Sequence, residues 1–334
     1  MRILVIGGTG FVGRHFVEAA TAAGLEVTLF NRGISGAGLF PGLERIAGDR
    51  RNDLGALRGR RWDAVVDMCG YAPDDVRASV ALLRDQAERY VYVSSVMAYR
   101  DWGLAKQNEA SPLYSAEDAD AGQTSTVSYR LRRADCDRLV REELPGRALV
   151  IRPGLIVGPF DPNEKLAYWA MRAVRGGDAL APGDPDRRVQ AIDARDLARW
   201  LVAMIGEGRT GVFNACGRGI AMKTLLGTCR SAAGGKAKFI WVGDEFLLER
   251  VSTRRDIRQR PLQFLELLPF WIPGLDDRFD SSAAKKSGLT WRSLSDTARD
   301  TLASMAARRE LSHAFLSPER EASLLREWRL RKTI

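Results

Sequence analysis

The 334-residue sequence has few cysteines and histidines and no long apolar run, the features typical of disulfide-linked, zinc-binding and membrane-spanning proteins. It contains four cysteines with no CxxC pair, and its two histidines lie near opposite ends of the chain. This spacing predicts no metal site and favours reduced, mostly buried thiols in a cytoplasmic protein. The longest apolar runs, such as residues 3–6 and 148–151, are far shorter than the roughly 20 residues that cross a bilayer. We therefore expect no membrane span and no membrane partner.

The N-terminus also lacks the features of a signal peptide. The residues MRILVIGGTG run from one arginine through an apolar stretch directly into glycines, without a small-residue cleavage site. We expect them to form the first β-strand of the mature protein. With 45% hydrophobic and 28% charged residues, the composition is that of a globular protein with one large domain or a core domain and a smaller one.

The charge balance is basic, with 51 Lys and Arg against 42 Asp and Glu, and arginine far outnumbers lysine. A net charge of +9 can attract nucleic acid or an anionic substrate. Acidic residues such as Asp53, Asp135 and Asp256 are interspersed among the arginines, however, and no recognised RNA-binding motif is present. A mixed-charge surface is the favoured interpretation, so a nucleic-acid partner is not expected.

Short apolar runs alternate with helical patterns through the first half of the chain. Helices are predicted at 12–23, through 76–83 and at 129–143, between strands at 3–6, 27–30, 44–47, 64–68, 90–94 and 148–152. This order predicts an α/β fold, a Rossmann-type doubly wound parallel sheet that binds ligands at the carboxyl ends of its strands. We assign 1–155 to a dinucleotide-binding core, with 187–215 returning to it. A smaller, mostly helical substrate-binding part takes 156–186 and 216–334, and its last helix is predicted at 318–331.

A glycine-rich turn, GGTGFVG, follows the first predicted strand and opens a helix. Gly7 permits the tight turn, Gly10 lets backbone N–H groups approach a pyrophosphate, and Gly13 allows close packing of the helix. The helix N-terminus adds partial positive charge. The predicted phosphate-binding residues of this turn are Gly7, Thr9, Gly10, Phe11, Val12 and Gly13.

The end of the second predicted strand indicates the cofactor. An NAD site usually has an acidic residue there, but this chain has Asn31 followed by Arg32, and we predict that both contact the cofactor. Arg32 is suited to a 2′-phosphate, so NADP is favoured, with NAD as the alternative and a solvent-facing arginine as the other interpretation. Asp49 and Arg50, in GDRRN after the third strand, are added to the cofactor site. Asp49 is well placed for the adenine amino group, and a carboxylate that only stabilises the loop is the competing interpretation.

These motifs together resemble a known family. They are GGTGFVG at 7–13, GDRRN, YVSSVMAY at 92–99, a tyrosine followed four residues later by a base, RPGLIVGP at 152–159 and LTWRSLSDT at 289–297. The sequence resembles the extended short-chain dehydrogenase/reductases, the NAD-dependent epimerase/dehydratases, and within them a reductase-like branch related to chloroplast RNA-binding members. The likeness covers nearly the whole chain. It is specific for the superfamily and not for a substrate.

The resemblance implies a catalytic group. Tyr129 matches the family's acid/base tyrosine, and Ser95 matches the hydroxyl that polarises the substrate oxygen, although a hydroxyl bonded only to backbone is the other interpretation of Ser95. A free tyrosine has a pKa near 10, so it needs a neighbouring positive charge to act near neutrality. Arg133 stands where the family has a lysine. Arginine keeps the charge and can bind the cofactor, but it cannot hand on a proton. A site that relies less on Tyr129, and a non-catalytic relative, therefore remain alternatives.

Further positions carry over from the family one by one. Cys69 and Gly70 follow the fourth strand, so their backbone is expected to touch the adenosine-side ribose, with a simple strand-end turn as the alternative. Pro153 belongs to the segment that flanks the nicotinamide in relatives. Leu155 replaces the asparagine that grips nucleotide sugars, which argues against a nucleotide-sugar substrate.

The sequence therefore predicts an NADP-dependent oxidoreductase of a small carbonyl or hydroxyl compound. Two alternatives stay open. One is an epimerase or dehydratase that keeps its cofactor bound and consumes no net NADPH. The other is a non-catalytic, nucleic-acid-binding relative. A homodimer is an expectation from relatives, which often dimerise through helices beside the sheet.

Overall fold

Seven parallel strands form the central sheet of the computed structural model, which describes residues 1–103, 107–118, 125–251, 267–274, 278–305, 311 and 315–331. The strands are β1 (Arg2–Ile6), β2 (Glu26–Asn31), β3 (Glu44–Ala47), β4 (Trp62–Asp67), β5 (Ala87–Val93), β6 (Ala148–Pro153) and β10 (Gly211–Ala215). Their order is β10-β6-β5-β4-β1-β2-β3. The predicted Rossmann-type sheet is confirmed.

The centre of the sheet consists of strands that are buried on both faces. In β1 the apolar run from Ile3 to Ile6 is at most 1% exposed. Ile3 pairs with Val27 on one side and with Ala64 on the other. Such near-continuous apolar strands are typical of parallel sheets covered by helices. Their carboxyl ends therefore meet at one edge.

Helices cover both faces of this sheet. One face packs against α1 (Phe11–Ala22) and α5 (Ala194–Gly206), and the other against α2 (Pro73–Leu83) and α3 (Ser125–Glu143). Asp193 is the N-cap of α5, because its side chain accepts a hydrogen bond from the Arg195 N–H. Each predicted helix of the first half is found, with α3 starting before the predicted residue 129.

The remaining strands form two small sheets. One contains β7 (Leu155–Val157), β9 (Arg188–Asp193) and β11 (Gly219–Ala221), and the other pairs β8 (Asp178–Pro182) with β12 (Lys238–Val242). The sequence patterns predicted neither these five strands nor β10. β7 and β11 have only three residues each, too few to show a periodicity.

Helices make up most of the regular structure among the described residues after 216. Those described are α6 (Met222–Ala232), α7 (Asp244–Val251), α8 (Ser282–Lys286), α9 (Leu294–Ser304) and α10 (Pro318–Arg331). α4 (Lys165–Arg175) packs with α6, α7, α9 and α10. The predicted bounds of the last helix are confirmed. A buried pair joins it to α4, because Arg172 Nε donates to Glu321 at 2.8 Å.

No helix within the described ranges is both long and apolar enough to cross a membrane. Of the four cysteine thiols, all free, three are buried and that of Cys69 is half-buried. Asp256, which the sequence analysis placed among the interspersed charges, lies outside the described residues.

Candidate functional site

A cleft runs along the carboxyl ends of the central strands and divides into two recesses. The β2 recess, about 530 Å³, is lined mainly by residues that follow β2 and β3. The β6 recess, about 420 Å³, is lined by residues that follow β5 and β6 and by the start of α3. Gly7, Gly10, Cys69 and Tyr71 line both, so the two recesses are continuous.

The glycine-rich turn lies where the two recesses meet. Gly7 and Gly8 have φ of +101° and +86°, a conformation that favours glycine. A Cβ on Gly13 would lie 2.8 Å from Gly8 Cα, so α1 packs directly on the turn. Gly10 is the N-cap of α1, without a side-chain cap, and a Cβ there would have no atom within 4 Å. The open backbone and the helix N-terminus fit a bound pyrophosphate.

The other turn residues divide between the recesses. Thr9 lines the β2 recess, whereas Phe11, Val12 and Gly13 line the β6 recess. Asn31 fixes the end of β2 to the turn, because its Nδ2 donates to the Gly7 carbonyl at 2.9 Å. The side chain predicted to touch the cofactor is thus already used to shape the turn.

Arg32 and Asp49 lie at the rim of the β2 recess. The Arg32 side chain is 62% exposed, and its Nη1 lies 3.9 Å from Asp49 Oδ2. So exposed a pair contributes little stability, which leaves Arg32 available to a ligand. Arg51, which is 71% exposed, lies 3.6 Å from Asp75 on the same rim. Arg51 was not among the predicted ligands, although it follows Arg50 in the same motif.

Arg50 lies beneath this recess. Its Nη1 and Nη2 donate to the two carboxylate oxygens of Asp67 at 2.8 and 2.9 Å, and the Tyr90 hydroxyl donates to the same carboxylate. Burial opposes the charge of Arg50, but Asp67 outweighs it and raises the pKa of Arg50. The guanidinium therefore supports the floor of the recess.

The β6 recess brings together the three predicted catalytic residues. Ser95, Tyr129 and Arg133 line it with Pro153. Ser95 follows β5, and its Oγ accepts a hydrogen bond from the Met97 N–H at 3.2 Å. Tyr129 lies near the start of α3, and its ring centroid is 6.0 Å from the Arg133 guanidinium carbon. These three predicted residues thus bring two hydroxyl groups and one cation to the recess.

Arg133 is 4% exposed and links the ends of two strands. Its Nη1 donates to the Gly70 carbonyl at 2.7 Å, and its Nη2 donates to the Val93 carbonyl. The rings of Tyr71 and Tyr92 each lie 5.2 Å from its guanidinium carbon. Burial opposes its charge, but the tyrosines outweigh this effect and raise the pKa of Arg133. These hydrogen bonds to neutral carbonyls leave its charge directed at the tyrosines.

The two residues after β4 differ in access to the cleft. Cys69 lines both recesses, and burial together with the charge of Asp67 raises the pKa of its thiol to about 11. Gly70 is buried and does not line either recess among the described residues. Its carbonyl accepts from the Tyr92 hydroxyl as well as from Arg133. Gly70 therefore has no exposed surface in this structure through which it could make the predicted contact with the ribose.

Sequence reasoning missed several side chains of the β6 recess, among them Tyr71, Asn163 and Lys165. Tyr71 directly follows Cys69 and Gly70, so the rule that ligands bind at strand ends would have found it. Lys165 begins α4 and belongs to no motif that the sequence shows. Leu155, where nucleotide-sugar relatives have asparagine, also lines this recess.

Comparisons with known proteins agree with this architecture. The chain is 25% identical over 252 residues to the chloroplast stem-loop binding protein of 41 kDa b from Arabidopsis thaliana, covering 70% of this chain and 63% of that protein. It is 30% identical over 207 residues to a 3-diazoavenalumate denitrifying reductase of a Streptomyces species, covering 55% and 65%. The chain thus spans less than two thirds of the length of these curated relatives.

Among solved structures, a human epimerase family protein with NADPH is similar in fold. Its TM-score is 0.63 at 20% identity, and the match covers 90% of this chain and 99% of that one. The model of the NAD dependent epimerase/dehydratase family matches residues 3–216, which is more than half of the chain. With its parallel sheet and glycine-rich turn, the chain belongs to the NAD dependent epimerase/dehydratase family.

Proposed function

We propose that this protein is an NADP-dependent oxidoreductase that acts on a small carbonyl or hydroxyl compound. The observation that carries the proposal is the β6 recess, where Ser95, Tyr129 and Arg133 lie beside the glycine-rich turn. A hydroxyl that orients the substrate oxygen, a phenol that transfers a proton and a nearby cation are the groups that carbonyl reduction needs. A nicotinamide cofactor held at the glycine-rich turn and beside Pro153 would supply the hydride for that reaction.

Ser95 and Tyr129 have separate roles in this proposal. Because the Ser95 Oγ already accepts from the Met97 N–H, its own proton can be donated to the substrate oxygen. Tyr129 gives its proton to that oxygen during reduction and takes it back during oxidation. Arg133 does not relay the proton. Its charge stabilises the tyrosinate left behind and fixes the strand ends that carry the site.

The rim of the β2 recess supports NADP as the cofactor. No carboxylate stands at the end of β2, and the exposed guanidinium groups of Arg32 and Arg51 lie at that rim. Arginine binds phosphate through several N–H groups, so this rim suits a 2′-phosphate better than a ribose hydroxyl.

The lining of the β6 recess supports a substrate other than a nucleotide sugar. Leu155 offers no hydrogen-bonding group there, and Ile156 and Pro162 add apolar surface. The name of the Streptomyces relative is that of a reductase, which supports net reduction.

The proposal is tested by following NADPH consumption with a panel of ketones and enones. Tyr129→Phe removes the proton donor and should lower turnover by about 10²–10⁴-fold, because general acid–base catalysis contributes that much. Tyr168→Phe is the matched control, since the Tyr168 phenol is buried outside the cleft. Full activity of Tyr129→Phe would refute the assigned role. Conversion of a substrate without net NADPH consumption would favour the epimerase or dehydratase alternative.

A further inference from the structure

Residues 158–165, here called the strap, cover one side of the β6 recess in a strained conformation. Phe160 and Glu164 have φ of +66° and +51°, which side chains other than glycine rarely adopt. Such residues cost about 1–3 kcal/mol each and persist only where surrounding contacts hold them, most often at functional sites. Both lie within the seven residues, 158–164, that connect β7 to α4.

Contacts with α1 hold the strap in place. The Arg14 guanidinium carbon lies 3.6 Å from the centroid of the Phe160 ring. His15 Nε2 forms a hydrogen bond of 2.9 Å with the Pro159 carbonyl. Within the strap, Asp161 Oδ1 accepts from the Asn163 N–H at 2.9 Å. Because α1 begins at the glycine-rich turn, the strap is fixed relative to the predicted cofactor site.

The strap presents Pro162, Asn163 and Lys165 to the β6 recess. Among the described residues that line this recess, the charged ones are Arg133 and Lys165, and no carboxylate is included. Arg133 is buried and bonded to two carbonyls, whereas Lys165 is only half-buried. The Lys165 charge lies near the buried carboxylate of Asp161, which does not line the recess. Lys165 is thus the more accessible of the two cations.

We propose that Lys165, assisted by Asn163, binds an oxyanion of the substrate. The substrate would then be a carbonyl or hydroxyl compound that also carries a carboxylate, sulfate or phosphate group. This inference rests on the function proposed above and adds the substrate's charge to it. A lysine ammonium with a side-chain amide beside it offers the donors that an oxyanion needs, and a recess lined without carboxylates does not repel one.

The test uses the protein saturated with NADPH, so that the proposed cofactor sites are filled before any other anion is added. Benzoate and benzamide, which differ in charge at similar shape, are added together, and their binding is measured by saturation-transfer NMR. Benzoate should bind more tightly than benzamide. Lys165→Met should weaken benzoate binding about tenfold, as expected when a charge-assisted hydrogen bond is lost. Lys165→Arg should retain most of it. Benzenesulfonate and phenyl phosphate then rank the three oxyanions.

Lys223→Met is the control, because Lys223 is 56% exposed and pairs with Asp186 away from the cleft. This variant should bind benzoate like the wild type. Equal binding of benzoate and benzamide, or benzoate binding unaffected by Lys165→Met, would overturn the inference. A loss of NADPH affinity in Lys165→Met without a loss of benzoate affinity would assign the lysine to the cofactor and overturn it too. Failure of the wild type to bind NADPH would instead refute the proposed function itself.

Discussion

The β2 recess and the β6 recess both rest on a buried arginine, but the two arginines face different partners. Arg50 donates to both oxygens of the Asp67 carboxylate, which is fully buried. Arg133 donates to the carbonyls of Gly70 and Val93 and lies among tyrosine rings. The charge beneath the β2 recess is therefore neutralised, and the charge beneath the β6 recess is not.

The paired Arg50 therefore has a structural role, whereas the unpaired charge of Arg133 is available to the proposed reaction. In the β2 recess the accessible positive charge is on the exposed rim, at Arg32 and Arg51, where it can select a phosphate. In the β6 recess the positive charge of Arg133 is inside, next to Tyr129, where we propose that it acts on a proton transfer, and a second cation, Lys165, lies on the side of the strap. A buried charge without a counterion interacts strongly with its neighbours because little water screens it.

Replacement of Arg50 tests the paired side of this comparison and should have the largest effect. Arg50→Met would leave the buried Asp67 carboxylate without its cation, which costs about 3–5 kcal/mol of unfolding free energy. Urea unfolding followed by circular dichroism measures this change. Arg60→Met is the control, since the Arg60–Glu44 pair is exposed on both sides. A loss no larger than that of the control would show that the Arg50–Asp67 pair does not support the recess.

Replacement of Arg133 tests the unpaired side. Arg133→Met removes one donor from each of two neutral carbonyls, and the Gly70 carbonyl keeps its hydrogen bond from the Tyr92 hydroxyl. The expected loss of unfolding free energy is therefore about 1–3 kcal/mol, smaller than for Arg50→Met. Arg133→Lys keeps the charge but loses the guanidinium that donates to two carbonyls at once. It should lower turnover more than it lowers stability. If Arg133→Met destabilises the protein as much as Arg50→Met does, the two arginines do not differ in their contribution to stability. A large rise in turnover for Arg133→Lys would show that arginine at this position is a loss of function.

Acidification should lower the free energy of unfolding through Asp193, by less than the two arginine replacements do. Asp193 lies against the strap, because a Cβ on Gly158 would approach its Oδ1 to 3.4 Å. Burial alone would raise the pKa of Asp193, but hydrogen bonds from Arg195 outweigh it and lower that pKa. The stability that Asp193 contributes is therefore present at neutral pH and is lost as the pH falls below the ordinary aspartate pKa of about 3.9.

The corresponding measurement compares the wild type with Asp193→Asn in urea unfolding over a series of acidic pH values. The wild type should be more stable by about 1 kcal/mol at neutral pH, and the difference should shrink on acidification. A difference that grows as the pH falls would contradict the assigned charge state.

Local patterns predicted the central sheet well, because its strands are apolar runs separated by turn residues. The prediction of β5 began at residue 90, whereas the strand begins at Ala87. Its first residues include Glu88 and Arg89, which give no apolar signal. The short strands of the two small sheets, such as β11 (Gly219–Ala221), depend on partners far away in the sequence and could not be predicted.

The candidate site was predictable only where its residues are neighbours in the sequence or match a motif. The glycine-rich turn and the Tyr129–Arg133 spacing are of this kind. The carbonyl partners of Arg133 were not predictable, because they depend on how α3 packs across two strand ends. Lys165 reaches the recess through the strap, whose path depends on contacts with α1. Gly70 was assigned by its position after β4, and burial removes it from the cleft surface.

Calorimetric titration with NADPH and NADH tests the proposal that the cleft binds NADP through Arg32 and Arg51 at its rim. The wild type should bind NADPH at least tenfold more tightly than NADH. Arg32→Ala should remove most of this preference with little effect on NADH, because a phosphate contact is worth about 1.5–3 kcal/mol. Arg209→Ala, which alters an exposed arginine paired with Glu207, should leave the preference unchanged. Equal affinity for both dinucleotides, or binding of neither, would contradict the account.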